Sequence, residues 1–138
     1  MKANILLDTC AAIWITEGAR ISDEAEATLV ASMDEGGDIM LSPMTAWEIG
    51  MLVARGRYSI SMTVQAWFDR VLDRSNTALA DLTPSILIQS SFLPGSPPPD
   101  PFDRVYIATA RDHGYRIMTR DQKILDYAAQ GHVQAIAC

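Results

Sequence analysis

Four acidic residues that are far apart in the sequence are candidates for one chemical site. They are Asp8, Glu48, Asp103 and Asp121. Carboxylates brought together repel one another unless a cation lies among them, and oxygen ligands without His or Cys select Mg²⁺ or Mn²⁺. Because such ions bind phosphate oxygens, activate water and stabilise a leaving oxygen, this residue set indicates phosphodiester hydrolysis without a covalent nucleophile.

Three of these acids are expected at one edge of a parallel sheet. Asp8 follows a predicted strand over residues 2–7 (KANILL), and Asp121 follows a predicted strand that ends in RIMT. Asp103 lies at the start of the helix that leads into that second strand. Ligands of open parallel sheets bind beyond the carboxyl ends of the strands, where these side chains would meet. Each acid also has a simpler interpretation, because an Asp at such a position can serve only to start the following helix.

Glu48 is expected inside the apolar stripe of a helix that begins near Met44. Helical spacing places positions 44, 47, 48, 51 and 52 on one face, and all except Glu48 are apolar. An unpaired buried carboxylate is costly, so it is normally paired or bound to a metal. The alternatives are an ion pair with an arginine such as Arg55, or a place at the edge of the stripe.

The segment PPPDPFDR places two aspartates around a proline and a phenylalanine. Asp100 suits an N-cap and Pro101 the first helical residue, whose missing N–H would have no helical partner. Asp103 would then be the third helical residue. The local pattern does not decide whether Asp103 supports the cap or faces a ligand.

Strands and helices alternate along the whole chain. The predicted strands are KANILL, IMLS, TALADL, YRIMT and HVQAIA. Seven helical segments lie between them, and this alternation predicts an α/β domain with a mainly parallel sheet and helices on both faces. A length of 138 residues predicts one domain, residues 1–138.

Composition restricts the environment and the partners. The sequence has no secretion signal and no apolar run long enough for a membrane span. Cys10 and Cys138 form no zinc or disulfide pattern, which favours a reduced, cytoplasmic setting. The net charge of −6 disfavours a nucleic-acid binder unless cations neutralise clustered acids.

Four arginines are candidates for gripping a polynucleotide backbone around the acidic site. They are Arg55, Arg57, Arg104 and Arg120. Each could equally be an ordinary solvated surface residue.

Four segments together resemble the PIN-domain ribonucleases, and in particular the VapC-like toxins of toxin–antitoxin pairs. They are ILLDTCAAIW, LSPMTAWEIGMLVARGRY, DPFDRVYIATARDHGYRIMTRD and the terminal HVQAI. Their order and separations match the family over nearly the whole chain. The resemblance implies a PIN-like, three-layer α/β/α sandwich with a mainly parallel sheet of four or five strands. It also implies Mg²⁺- or Mn²⁺-dependent cleavage of RNA, often at a structured tRNA or rRNA site.

The resemblance assigns roles to individual residues. Asp8, Glu48, Asp103 and Asp121 match the four acids of the family in order, and Thr119 matches the polar residue that steadies the site. The implied mechanism has the first three acids holding one Mg²⁺, while Asp121 completes the site or binds a second ion. The products would carry 5′-phosphate and 3′-hydroxyl ends.

The same resemblance implies partners. Family members usually form homodimers and are held inactive by a cognate antitoxin whose extended tail covers the acidic pocket. The antitoxin binds operator DNA, so any contact with DNA would be indirect. Asp100 belongs to the DPFDR variant of the family and is expected mainly as a cap.

Two other functions fit parts of the sequence. A phosphatase or phosphotransfer enzyme would use Asp8 as a covalent acceptor, but the haloacid-dehalogenase pattern has a second Asp where this chain has Cys10. A catalytically weak PIN-like module that only binds a partner protein would retain the acids without fast cleavage.

Overall fold

The structure, a computed structural model, describes residues 4–138 and contains five strands and seven helices in that range. In chain order these are β1 (Ile5–Leu7), α1 (Thr9–Thr16), α2 (Asp23–Asp34), β2 (Ile39–Leu41), α3 (Pro43–Ala54), α4 (Val64–Leu72), β3 (Thr77–Leu79), α5 (Pro84–Gln89), α6 (Pro101–His113), β4 (Arg116–Thr119), α7 (Gln122–Ala129) and β5 (Gln134–Ala137).

All five strands are parallel and form one sheet in the order β3-β2-β1-β4-β5. The central strand β1 pairs on both sides, with Leu6 opposite Met40 in β2 and Ile117 in β4. The chain builds the sheet outward from β1 on one side and then returns to add β4 on the other. Between β1 and β4 the strand order therefore reverses, and open α/β sheets bind their ligands beyond the carboxyl ends of the strands at such a point.

Apolar clusters cover both faces of the sheet. Ile5 and Leu7 point into a cluster with residues of α1, α2 and α4, whereas Leu6 points into a second cluster with residues of α6 and α7. Since both faces are covered, β1 is an unbroken apolar run instead of an alternating one. This is the predicted three-layer α/β/α sandwich, with five strands.

Each of the seven helices in residues 4–138 begins after a Ser, Thr or Asp whose side chain accepts a backbone N–H of the first turn. These N-caps are Asp8, Ser22, Ser42, Thr63, Thr83, Asp100 and Asp121. Three of the helices also have proline as their first residue. These local signals explain why the predicted elements are present in the right order.

Several predicted boundaries differ from the structure. One of the seven predicted helical segments, residues 85–93, corresponds to α5, which ends at Gln89 because Pro94 disfavours a helical Leu93 and serines compete for the backbone hydrogen bonds. Strand β3 was expected to reach residue 82 but ends with Leu79, since its partner β2 is only three residues long. Of the predicted first strand, Lys2 and Ala3 lie outside the described residues.

Among the described residues, the longest helix is α6, with 13 residues. Within this range, no helix combines the length and the apolar character that crossing a membrane requires.

Candidate metal centre

A cavity of about 320 Å³ lies at the carboxyl ends of β1 and β4, and all four predicted acids line it. Its lining residues are Asp8, Thr9, Cys10, Trp14, Glu48, Asp100, Asp103, Tyr106, Arg120 and Asp121. The reversal of strand order brings the acids together from four separate parts of the chain. The structure thus assembles the residues that the sequence suggested, and Thr119 lies directly beneath them.

Asp8 is 6% exposed and is held at both carboxylate oxygens. Its Oδ1 accepts the N–H of Ala11 at 2.8 Å, and its Oδ2 accepts the hydroxyl of Thr119. Thr119 in turn accepts the N–H of Asp121 at 2.9 Å. Asp8 therefore caps α1 with one oxygen while the other is tied to the end of β4, so capping does not exclude a role in the site.

Glu48 is held by hydroxyl groups. Its Oε1 accepts the hydroxyl of Thr9 at 2.6 Å and that of Tyr106 at 3.1 Å. The Tyr106 oxygen also lies 2.5 Å from the Thr9 oxygen and 3.2 Å from that of Thr45. These contacts, rather than an ion pair with Arg55, orient the Glu48 carboxylate.

The apolar stripe predicted for α3 was wrong. Its buried residues are Thr45 and Ile49, whereas Trp47 is 59% exposed and Glu48 is half-buried. The helix is turned so that Thr45 faces the buried Tyr106, and the two hydroxyl oxygens lie 3.2 Å apart.

Tyr106 is a site residue that the sequence analysis missed. It is 1% exposed and lines the cavity. One signal was available, since Tyr106 follows Asp103 by three residues and therefore shares a face of α6 with it. The contact of Tyr106 with Thr9 spans 97 positions, and no local pattern indicates it.

Asp100 and Asp103 have different surroundings. Asp100 Oδ1 accepts the N–H groups of Phe102 at 2.8 Å and of Asp103 at 3.2 Å, which makes it the N-cap of α6. The Asp103 side chain is half-buried in the cavity, where the charge of Asp121 acts on it.

Substitutions at Asp100 test this division of roles. We expect Asp100→Asn to keep the cap and the thermal stability, because Asn caps helices as well as Asp does. Asp100→Ala should lower the free energy of unfolding by about 1 kcal/mol, measured by urea unfolding. If Asp100→Asn were as destabilising as Asp100→Ala, the carboxylate charge and not the cap would be what matters.

The cavity holds more negative charge than its surroundings compensate. Burial, and secondarily the charges of Glu48 and Asp121, raise the pKa of Asp8 to about 6 although Thr119 and the Ala11 N–H oppose this. Burial, followed by the charge of Asp121, raises the pKa of Asp103 to about 8. A carboxyl group with a raised pKa binds protons more tightly in the folded chain, so the folded state loses stability as the pH rises from about 4 toward 8.

The chemistry of this donor set fits a hard divalent cation. The four acids offer only carboxylate oxygens, and a cation would relieve the repulsion that helps to raise the two pKa values. Cys10 also lines the cavity, but burial raises the pKa of its thiol to about 11, which disfavours the thiolate that binds metals. In the described part of the chain, however, no three His, Cys, Asp or Glu side chains are grouped so that they could hold an ion as they stand. Asp8, Glu48 and Asp121 instead accept hydrogen bonds from hydroxyl and backbone N–H groups.

The chain belongs to the PIN domain family, whose model matches residues 5–130. It is 28% identical over 121 residues to Ribonuclease VapC22 of Mycobacterium tuberculosis, a match that covers 87% of this chain and 88% of that protein.

Solved structures confirm the fold. VapBC2 from Rickettsia felis, bound to a DNA fragment from its promoter, aligns with a TM-score of 0.67 at 12% identity and covers 97% of this chain and 98% of its own. FitAcB from Neisseria gonorrhoeae aligns with a TM-score of 0.56 at 22% identity, with 96% of each chain covered. The resemblance to the PIN fold that the sequence motifs indicated is therefore confirmed.

Proposed function

We propose that this chain is a divalent-metal-dependent endoribonuclease that acts as the toxin of a toxin–antitoxin pair. The observation that carries the proposal is the convergence of Asp8, Glu48, Asp103 and Asp121 on one cavity. Membership of the PIN domain family and the similarity to Ribonuclease VapC22 support it.

In this proposal Asp8, Glu48 and Asp103 would hold one Mg²⁺ or Mn²⁺, and Asp121 would complete the site or hold a second ion. When bound, such an ion stabilises charge on phosphate oxygens and lowers the pKa of water. Oxygen donors alone, without His or Cys, are the ligand set that such ions prefer.

The chain's own residues position the reacting groups. Thr119 links Asp8 to the backbone of Asp121 and so keeps these two acids in register across β1 and β4. The hydroxyl groups of Thr9 and Tyr106 donate to Glu48 Oε1 and so orient its carboxylate.

Asp121 is proposed to orient the attacking water. Its Oδ1 accepts the Lys123 N–H at 2.9 Å. Its carboxylate accepts a hydrogen bond from the water, which attacks phosphorus in line with the leaving 3′-oxygen. The water gives one proton to the Asp121 carboxylate, the P–O3′ bond breaks, and the 3′-oxygen takes a proton from solvent. The products are then a 5′-phosphate and a 3′-hydroxyl, and Asp121 releases its proton to solvent.

We further propose a cognate antitoxin, an RNA substrate such as tRNA or rRNA, a homodimer, and a cytoplasmic location. Structures similar to this chain include the VapBC2 and FitAB complexes, and both are described with a bound DNA fragment. This supports an antitoxin partner. Any contact of this chain with DNA would then be indirect, through that partner. The large apolar side chains of Leu87, Ile88 and Phe92 are 44%, 63% and 80% exposed, as expected of a surface that protein partners cover.

Expression of the chain with and without its neighbouring gene tests this proposal. We expect growth arrest that the neighbour relieves, together with new RNA 5′ ends at defined positions on sequencing. The purified chain should cleave the same RNA in Mn²⁺ and not in EDTA. Mn²⁺ binding without any cleavage would instead favour the alternative, a PIN-like module that engages a partner protein.

A further inference from the structure

An aromatic ring fixes one arginine at the rim of the carboxylate cavity. The guanidinium carbon of Arg120 lies 3.8 Å from the centre of the Trp14 ring. Its Nη2 donates to the carbonyl oxygen of Arg20 at 2.7 Å. Arg120 and Trp14 both line the cavity, and Arg120 stands between Thr119 and Asp121 in the chain.

The other three arginine candidates are placed differently. Arg104 donates to the carbonyl oxygens of Pro98 at 2.8 Å and Ser90 at 3.4 Å, so it anchors the proline-rich loop. Arg55 is the C-cap of α3 and lies about 10 Å along the helix axis from Glu48. Arg57 follows it in the next turn of the chain. Among the described residues that line the cavity, Arg120 alone carries a positive charge.

A positive charge at the rim of this carboxylate cavity favours the approach of a phosphate. A phosphate that approaches several carboxylates is repelled by them, and a fixed cation at the rim offsets part of that repulsion. Stacking on a ring holds the planar guanidinium in place, so little freedom is lost when it binds a phosphate through paired N–H groups. A guanidinium has five N–H donors, and Arg120 keeps some of them available beside its bond to the Arg20 carbonyl.

We propose that Arg120 binds a backbone phosphate of the RNA next to the scissile bond, and that Trp14 is the positioning residue that holds it there. This inference rests on the proposed ribonuclease function. It names the chemical group recognised at the rim, a phosphodiester beside the one that is cut, and it selects one arginine from four.

Cleavage kinetics in Mn²⁺ at several salt concentrations test the inference. Arg120→Ala should raise KM for an RNA oligonucleotide about tenfold with kcat changed much less, the loss expected for one charged hydrogen-bonded contact. The slope of log(kcat/KM) against log salt should become shallower by about 0.7, the value for one phosphate of a single strand. Arg74→Ala, which removes the same charge from an exposed side chain just before β3, toward the amino ends of the strands, should leave KM and slope unchanged.

Variants at Trp14 separate positioning from support of the fold. Trp14→Leu should raise KM several-fold without changing the salt slope, because the charge stays while its platform is lost. Trp14→Phe keeps a ring under the guanidinium, so its KM should return most of the way to the wild-type value. A purely structural role would lower the melting temperature and kcat together and leave KM and slope as in the wild type.

The outcomes distinguish this inference from the proposed function. If the wild type cleaves RNA but Arg120→Ala matches it in KM and salt slope, Arg120 does not bind phosphate while the ribonuclease proposal stands. If the wild type cleaves no RNA under these conditions, both fall. Because Arg120 is exposed, its variants should stay folded even where those of Trp14 do not.

Discussion

The Asp103→Asn variant is expected to cleave RNA at least about a thousandfold more slowly than the wild type and yet to unfold at a higher temperature. The loss of activity follows because an amide is a poorer ligand for a divalent cation and stabilises less charge in the transition state. The gain in stability follows because burial and the neighbouring Asp121 disfavour the Asp103 carboxylate in the folded chain.

The sign of the stability effect depends on pH in a defined way. Asp103 has a pKa of about 8 in the folded chain, above its ordinary value of 3.8, so the folded state binds the proton more tightly. The stability associated with this group is therefore complete below about pH 4 and is lost as the pH rises toward 8. Asn cannot ionise, so the melting temperatures of variant and wild type should diverge over this range, by at least about 3 °C at pH 8 in EDTA.

Asp112→Asn is the matched control for this prediction. It makes the same chemical change near the other end of α6, at an exposed side chain. We expect wild-type cleavage and no divergence of the melting temperature with pH. Native-rate cleavage by Asp103→Asn would show that cleavage does not need Asp103. If the melting temperatures of Asp103→Asn and the wild type differed equally at pH 5 and pH 8, the charge of Asp103 would be compensated in the folded chain.

Saturating Mn²⁺ is expected to raise the melting temperature of the wild type by about 10 °C at pH 8. A ligand at one hundred times its dissociation constant stabilises the folded state by about 2.7 kcal/mol, which corresponds to a shift of this size for a chain of this length. The ion would relieve the repulsion among the carboxylates, and its affinity should grow from pH 6 to pH 8. Over that range the carboxyls of Asp8 and Asp103, with pKa values of about 6 and 8, release their protons.

Scanning calorimetry and isothermal titration at several pH values measure both effects. Asp8→Asn and Asp103→Asn should lose most of the Mn²⁺-induced shift, while Asp112→Asn should retain it. An equal shift in Asp8→Asn and wild type would place the ion elsewhere on the chain. No shift in the wild type would mean that the four carboxylates do not form a divalent-metal site.

Local features of the sequence were sufficient for the secondary structure. Short apolar runs predicted the strands, and the Asp100-Pro101 pair predicted the start of α6. These signals act within a few residues, through backbone hydrogen bonds that the neighbouring side chains complete. The boundaries of α5 and β3 were less accurate, because strand pairing and a proline beyond the helix decided them.

Packing between elements determined how the site is supported. The periodicity of α3 predicted Trp47 on the buried face, but contact with Tyr106 turns Thr45 inward and leaves Trp47 exposed. The hydroxyl groups around Glu48 come from three helices, and no spacing along the chain reveals that they meet. The separation of Arg120 from the other arginines likewise depends on its contact with the Trp14 ring.

The sequence by itself thus determined an alternating α/β chain, three acids at positions where a parallel sheet would gather them, and a fourth acid, Glu48, on a largely apolar helix. Only the tertiary structure decided that β1 and β4 lie side by side, which hydroxyl groups hold Asp8 and Glu48, and which arginine faces the cavity. The physical reason is the distance along the chain over which each interaction acts. Caps and hydrophobic periods depend on neighbours within one or two turns, whereas the surroundings of a carboxylate depend on side chains that only the packed sheet and helices bring together.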